Sequence, residues 1–155
     1  MEATAAELLI GMAILAAAIG IGGGLYEFVV LDPVWPNRPA LVQPMHGGVS
    51  RKRFWIPAHI VFELLLVAAL VAAWGAPGIS RWLLIALATH AAMRIWSALD
   101  FIPKALAFER DEADSVSPDA ARRWTRRSRL RLPLDLAKLA ALLAAFWTAA
   151  RSAGI

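Results

Sequence analysis

The chain reads as an all-α, membrane-embedded, antiparallel four-helix bundle, and three observations predict it. Hydrophobic residues make up 59% of the 155 residues, and the mean hydropathy is +0.58. An ordinary soluble domain carries roughly 45–50% apolar residues, and a domain this small has too much surface for its volume to hide the excess. The apolar residues gather into four stretches separated by polar or Pro/Gly-rich segments. Each stretch approaches the ~20 residues that cross a hydrocarbon core of about 30 Å.

The first span covers about residues 7–31, with an uncharged run from Leu8 to Tyr26 between Glu7 and Glu27. The N-terminus carries Glu2 and Glu7 and no basic residue. A signal peptide wants a basic leading region, so the helix is expected to be retained. Ala16, Gly20 and Gly24 follow one another at four-residue spacing. Such stripes usually let a neighbouring helix approach closely; the sharper alternative is room for a ligand beside the helix. Residues 32–54 hold Pro33, Pro36, Pro39, Pro44 and the pair Gly47-Gly48. So many prolines break any long helix.

The second span covers about residues 55–74, and Gly75-Ala-Pro-Gly78 forms a tight turn to the third, about residues 81–103. Residues 104–130 are polar, acidic first and then arginine-rich. Ser117-Pro118-Asp119 reads as the cap and first turn of a helix that feeds the fourth span, about residues 131–150. The basic residues concentrate in the 1–2 and 3–4 connections, with only Arg81 and Arg151 at the other end. The positive-inside rule then places both termini outside and the two long connections in the cytoplasm, in a bacterial inner membrane. Trp35, Trp55 and Trp124 would mark one interface and Trp74, Trp82 and Trp147 the other.

The formal net charge is +4 and the pI about 10.3. In a chain of apolar spans these basic groups, above all the arginine run, match an anionic membrane surface rather than nucleic acid. The expected partners are membrane lipid and a hydrophobic small molecule, and a homo-oligomer is compatible with the pattern. There is no cysteine, which excludes disulfides, thiolate nucleophiles and cysteine-ligated metal or iron–sulfur sites.

Ionisable groups inside a membrane are costly and mark function by default. Here every span has them: Glu27 on the first, His59 and Glu63 on the second, His90 and Arg94 on the third, Asp135 and Lys138 on the fourth. At 1.5 Å per residue His90 sits roughly 13 Å from Arg81, near the midplane, with Glu63 at similar depth. Glu27, His59, Arg94 and Asp135 lie closer to the cytoplasmic end. All could face one pocket. His59, Glu63, His90 and Arg94 are the candidate catalytic residues. Glu27, His59, Glu63 and His90 have the right types for a metal site, although H-x-x-x-E spacing is no metal fingerprint. His59 or His90 are also candidate haem ligands, with His90 better placed by depth. Cofactor-free acid–base chemistry, with Glu63 as base and a histidine as partner, is the third option. A purely structural pairing of these charges stands beside all three. His46, in the Pro/Gly loop, reads as solvated unless that loop folds back as a lid.

Two stretches carry a family resemblance: Gly24-Leu-Tyr-Glu-Phe-Val-Val-Leu-Asp-Pro33 at the end of the glycine-rich helix, and Arg123-Trp-Thr-Arg-Arg-Ser-Arg-Leu-Arg131 before the last. With four spans in this length, the chain resembles the DUF1772, or anthrone-oxygenase-like, group of small integral membrane proteins. The resemblance implies oxidation of a polycyclic anthrone to a quinone without a conventional cofactor. Haem-dependent epoxide isomerases of bacterial membranes are similar in architecture only. The expected function is therefore a small membrane enzyme that oxidises or isomerises a hydrophobic small molecule, an aromatic one included, in a cytoplasm-facing pocket. The alternative is a non-catalytic transporter subunit or scaffold. A transporter would more often show broken helices or repeated halves, and neither is visible.

Overall fold

The computed structural model describes residues 5–152; Glu2 of the leader argument lies outside them. Among the described residues the fold is all helix. Helix α1 (Ala5–Tyr26) continues as a π-helical turn over Glu27–Leu31, and α2 runs over Lys52–Ala72. Helix α3 (Pro77–Trp96) passes through a second π-helical turn, Ser97–Phe101, into α4 (Ile102–Arg110). Helix α5 (Pro118–Ser128) joins α6 (Leu132–Ser152) through one 3₁₀ turn. Four of these continuous helices are long and apolar enough to cross a membrane.

The third span is longer than the sequence reading allowed. It was expected to stop at Pro103, yet the helix continues to Arg110. Pro103 stands in the first turn of α4, directly after the π turn; a proline is carried inside a continuous helix at such a local departure from the regular ladder. Residues 104–130 are accordingly mostly helix rather than loop. The Ser117 cap is as expected: its hydroxyl accepts from the Ala120 amide at 3.4 Å, with Pro118 opening the helix.

In the bundle, α6 lies between α1 and α3, α1 also packs on α2, and the α2–α3 seam is the thinnest. Alanine dominates the core, with Ala13, Ala17, Ala69, Ala86, Ala141 and Ala145 buried around Ile10, Leu66, Leu83 and Leu142. Small residues let the backbones approach, which is how helices associate where lipid removes the hydrophobic drive. Leu15, Ile19, Leu64, Val71, Leu99 and Leu143 point outward and are exposed. Such a surface suits hydrocarbon and not water, in keeping with four candidate membrane spans.

The two long connections build a cap on one end of the bundle. Its core is Trp35, Val42, Phe101, Val116, Ala121 and Trp124. The Trp35 ring meets Phe108 at 5.4 Å and Trp124 at 5.9 Å between centroids. Gln43 Nε2 donates to the carbonyls of Phe108 and Asp111, both at 2.8 Å. These bonds tie the proline-rich segment to the far end of α4. Trp35 and Trp124 were expected in a membrane-interface belt; both are instead buried in this cap. Of the opposite set, Trp74 and Trp147 are well exposed, as an interfacial belt requires. His46 is exposed, with Nδ1 2.9 Å from Gln43 Oε1.

Gly47 takes the left-handed conformation, φ 79°. At Gly48 a Cβ would lie 2.1 Å from the Ala40 carbonyl oxygen. That obstacle is backbone and cannot rotate away. Gly48→Ala is expected to destabilise the cap by about 1–3 kcal/mol, the usual range for overpacking. Thermal unfolding in detergent would register it. An unchanged midpoint would contradict this packing.

Candidate intramembrane site

Beneath the cap, side chains from all four spans line a half-open cavity of about 500 Å³. That is within the ~300–1,000 Å³ typical of small-molecule sites. Both π-helical turns border it, contributing Glu27 and Phe28 from one and Ser97 and Phe101 from the other. A π turn inserts a residue and re-aims those around it, and such turns are frequent at functional sites. The stripe Ala16, Gly20, Gly24 also lines the cavity. A Cβ at Gly20 would meet nothing within 4 Å. The bland expectation for this stripe, close helix packing, is therefore corrected at Gly20: the missing side chain leaves open cavity.

Four of the five expected residues line the cavity: Glu27, His59, His90 and Arg94. His59 and His90 face each other with ring centroids 6.1 Å apart. Glu63 is not on the cavity wall. It stands in the thin α2–α3 seam, where Oε1 lies 3.1 Å from His90 Nε2 and 3.0 Å from Arg94 Nε. Glu63, expected as a base beside the substrate, thus stands one step back from the cavity, engaged by His90 and Arg94. Its spacing from His59 put both on one helix side, but four residues advance a helix by about 400°, enough to turn the carboxylate toward α3.

The hydrogen bonds decide the proton positions. His59 Nδ1 lies 2.7 Å from the Trp55 carbonyl oxygen. A carbonyl only accepts, so Nδ1 carries the hydrogen and the neutral ring keeps its lone pair on Nε2. Pro57, within α2, has no N–H, so the first turns of this helix already depart from the regular ladder. Where Glu63 is a carboxylate it can only accept, so the hydrogen of His90 sits on Nε2. His90 Nδ1 is buried without a partner. Glu27 Oε1 accepts from Trp55 Nε1 at 2.8 Å, which fixes the indole over the cavity beside the His59 ring at 5.5 Å.

The candidate metal set is not assembled. Among the described residues no group of three or more His, Cys, Asp or Glu side chains is gathered to hold a metal ion. Glu27 is engaged by Trp55, and Glu63 by His90 and Arg94. His90 Nε2 is likewise engaged, by Glu63. His59 is the imidazole whose Nε2 is free of hydrogen bonds.

Comparison with protein-family models, with curated proteins and with solved structures gives no match.

Some lining residues, Arg51, Lys52 and Glu109 among them, were not singled out as site candidates in the sequence, whereas Asp135 and Lys138 were. Lys52 pairs with Glu109 at 2.6 Å, and Lys138 with Asp135 at 2.7 Å. Lys138 is buried, with its ammonium 4.6 Å from the Phe62 ring centre. Arg51 and Arg131 also line the cavity. The arginine run was read as a surface patch, yet several members bind the protein itself. Arg127 reaches Asp100 at 2.6 Å, Arg122 reaches Asn37 at 2.8 Å, and Arg129 donates to the Phe28 carbonyl at 3.3 Å. Asp100 also pairs with Lys104. In the cap, burial pushes the Asp32 carboxyl above the usual range, opposed by the Trp35 indole that donates to Oδ1 at 3.1 Å.

Proposed function

We propose that this protein is a small membrane enzyme that removes a proton from a hydrophobic carbonyl compound held in the intramembrane cavity. The observation that carries this reading is His59: a cavity-wall imidazole whose tautomer is fixed by the Trp55 carbonyl, leaving Nε2 as acceptor. A base within reach of substrate and oriented by a second group is the pattern of general base catalysis.

In the proposed step, His59 Nε2 takes a proton from a carbon next to the carbonyl. The C–H electron pair becomes the new C=C bond, and the carbonyl pair moves to oxygen to give an enolate. Arg94 lines the cavity while Glu63 holds its Nε. Its terminal nitrogens supply positive charge for the enolate oxygen. Glu63 is a positioning residue for both Arg94 and His90. If the proton returns to another conjugated carbon, the net reaction is isomerisation and needs no co-reactant. If dioxygen meets the carbanion, a CH₂ group becomes C=O with release of one water, and dioxygen is the oxidant. The second branch is what the anthrone-oxygenase-like resemblance implies.

The test is solvent exchange. Protein in lipid nanodiscs is incubated in D₂O with a panel of lipophilic enolisable ketones that includes anthrones, and the compounds are analysed by mass spectrometry. Deuterium incorporation, or loss of two hydrogens with gain of one oxygen, is expected with wild-type protein and not with His59→Gln. A panel with no His59-dependent change would sink the enzymatic reading and leave a non-catalytic carrier or scaffold.

We further propose that the capped end faces the cytoplasm of a bacterial inner membrane. Arg38, Arg53, Arg110, Arg123 and Arg126 are exposed at that end, whereas Arg81 and Arg151 stand at the other, which the positive-inside rule favours. The chain has no cysteine, so single-cysteine labelling is clean. Gly75→Cys in the α2–α3 turn should label from outside, and Ser115→Cys in the cap from the cytoplasm. Both positions are exposed. Labelling from the same side would refute the topology.

A further inference from the structure

The basic groups around the cavity divide into two classes. Lys52, Lys138 and Arg94 each have a carboxylate partner in Glu109, Asp135 and Glu63. Arg51 and Arg131 form no ion pair among the described residues. Arg51 is 8% exposed. Its guanidinium lies over the rings of Trp35 and Trp124, 5.5 and 5.1 Å from their centroids, and its Nη2 is buried with no hydrogen-bond partner. Arg131 lies 4.6 Å over the Phe101 ring, and its nitrogens reach only the Ser128 carbonyl and the Ser97 hydroxyl, both at 3.1 Å. A buried guanidinium hydrogen without an acceptor is costly. Aromatic faces hold the charge in place but leave its hydrogen-bonding capacity unspent. The same cavity includes the open space beside Gly20. The cavity thus has an end under the cap where two guanidinium groups have no carboxylate partner, while the lining carboxylates Glu27, Glu109 and Asp135 are engaged by Trp55, Lys52 and Lys138, and an apolar body along α1.

We infer that the cavity's ligand is an anionic amphiphile, with its oxyanion group held by Arg51 and Arg131 and its apolar body lying against the Ala16–Gly20–Gly24 face. The assignment deepens the proposed function and rests on the same cavity. Arginine's planar fork suits carboxylate and phosphate oxygens. The oxyanion is either the carboxylate of a free amphiphile or the phosphate of a membrane lipid. A bound acid group satisfies the Arg51 donor and orients the apolar body toward His59.

The experiment is binding, read without turnover. Protein in phosphatidylcholine nanodiscs is titrated with pyrenebutyrate and with uncharged pyrenebutanol, following energy transfer from tryptophan and subtracting protein-free discs. Wild-type protein should favour the acid over the alcohol by about tenfold to a hundredfold, the value of a charge-assisted hydrogen bond. Arg51→Gln and Arg131→Gln should remove most of that preference, Arg51→Lys should keep more of it, and the surface control Arg123→Gln should keep all of it. Gly20→Leu should weaken acid and alcohol alike by filling the apolar end. Discs containing phosphatidylglycerol decide the source. Displacement of the probe there names a lipid phosphate, and undisturbed binding names a free carboxylate amphiphile. Equal affinity for acid and alcohol in wild-type protein overturns the inference, and that comparison needs no variant to fold. A preference that survives both glutamine substitutions also overturns it. Acid-selective binding without His59-dependent turnover would defeat the enzymatic reading alone, and turnover without acid selectivity would defeat this inference alone.

Discussion

His59→Gln is expected to lower turnover by about 10²–10⁴-fold, the usual contribution of a positioned general base, while ligand affinity stays within a few-fold. Glutamine is close to imidazole in reach and its amide can still donate to the Trp55 carbonyl, so the wall of the cavity survives. What it lacks is a basic nitrogen. Glu63→Gln should cost less, because Glu63 does not touch the cavity and acts through Arg94 and His90. A neutral amide can still accept from one of them but no longer offsets the Arg94 charge. The two substitutions separate base from positioning residue. A His59→Gln rate equal to wild type, measured on any compound the protein turns over, would remove His59 from the mechanism.

Trp35→Ala is expected to open the cap. Trp35 is 0% exposed and is the largest fully buried side chain. Truncating a buried tryptophan costs about 3–5 kcal/mol. Here the loss also strips Asp32 Oδ1 of its indole donor, inside a pocket where Oδ2 already has no partner. The Arg51 guanidinium loses one of its two aromatic faces. The bundle of α1, α2, α3 and α6 has its own alanine-rich core, separate from this cluster. The expected result is therefore local: amide hydrogen exchange over residues 35–50 and 113–128 should accelerate by about a hundredfold or more, since each ~1.4 kcal/mol is a factor of ten. Exchange in the spans should stay near the wild-type rate. Wild-type protection over the cap in this variant would show that the connections are held by something other than Trp35.

The all-α class and the four long apolar helices follow from the sequence by itself. They depend on how many apolar residues stand in a row and where prolines and glycines interrupt them, and both are local properties. The level of the ionisable groups along the bundle is also local, since depth is residue count times helical rise. That is why Glu27, His59, His90 and Arg94 were found together at the capped end.

What the sequence did not determine is which side of its helix each group uses and with whom it pairs. Glu63 and His59 are one turn apart, yet one faces the α2–α3 seam and the other the cavity, because the rotation of α2 is set by packing on α1 and α3. The paired lysines and the unpaired Arg51 look alike in sequence. Only the meeting of α4 with α2 gives Lys52 its partner in Glu109, and only the folding back of the proline-rich segment places Trp35 and Trp124 around Arg51. The same is true of Gly20, where one spacing serves both close packing and open space. A side chain's neighbours come from segments distant in the chain, and the free energy that selects them is spent across the bundle and cap, not within any one helix.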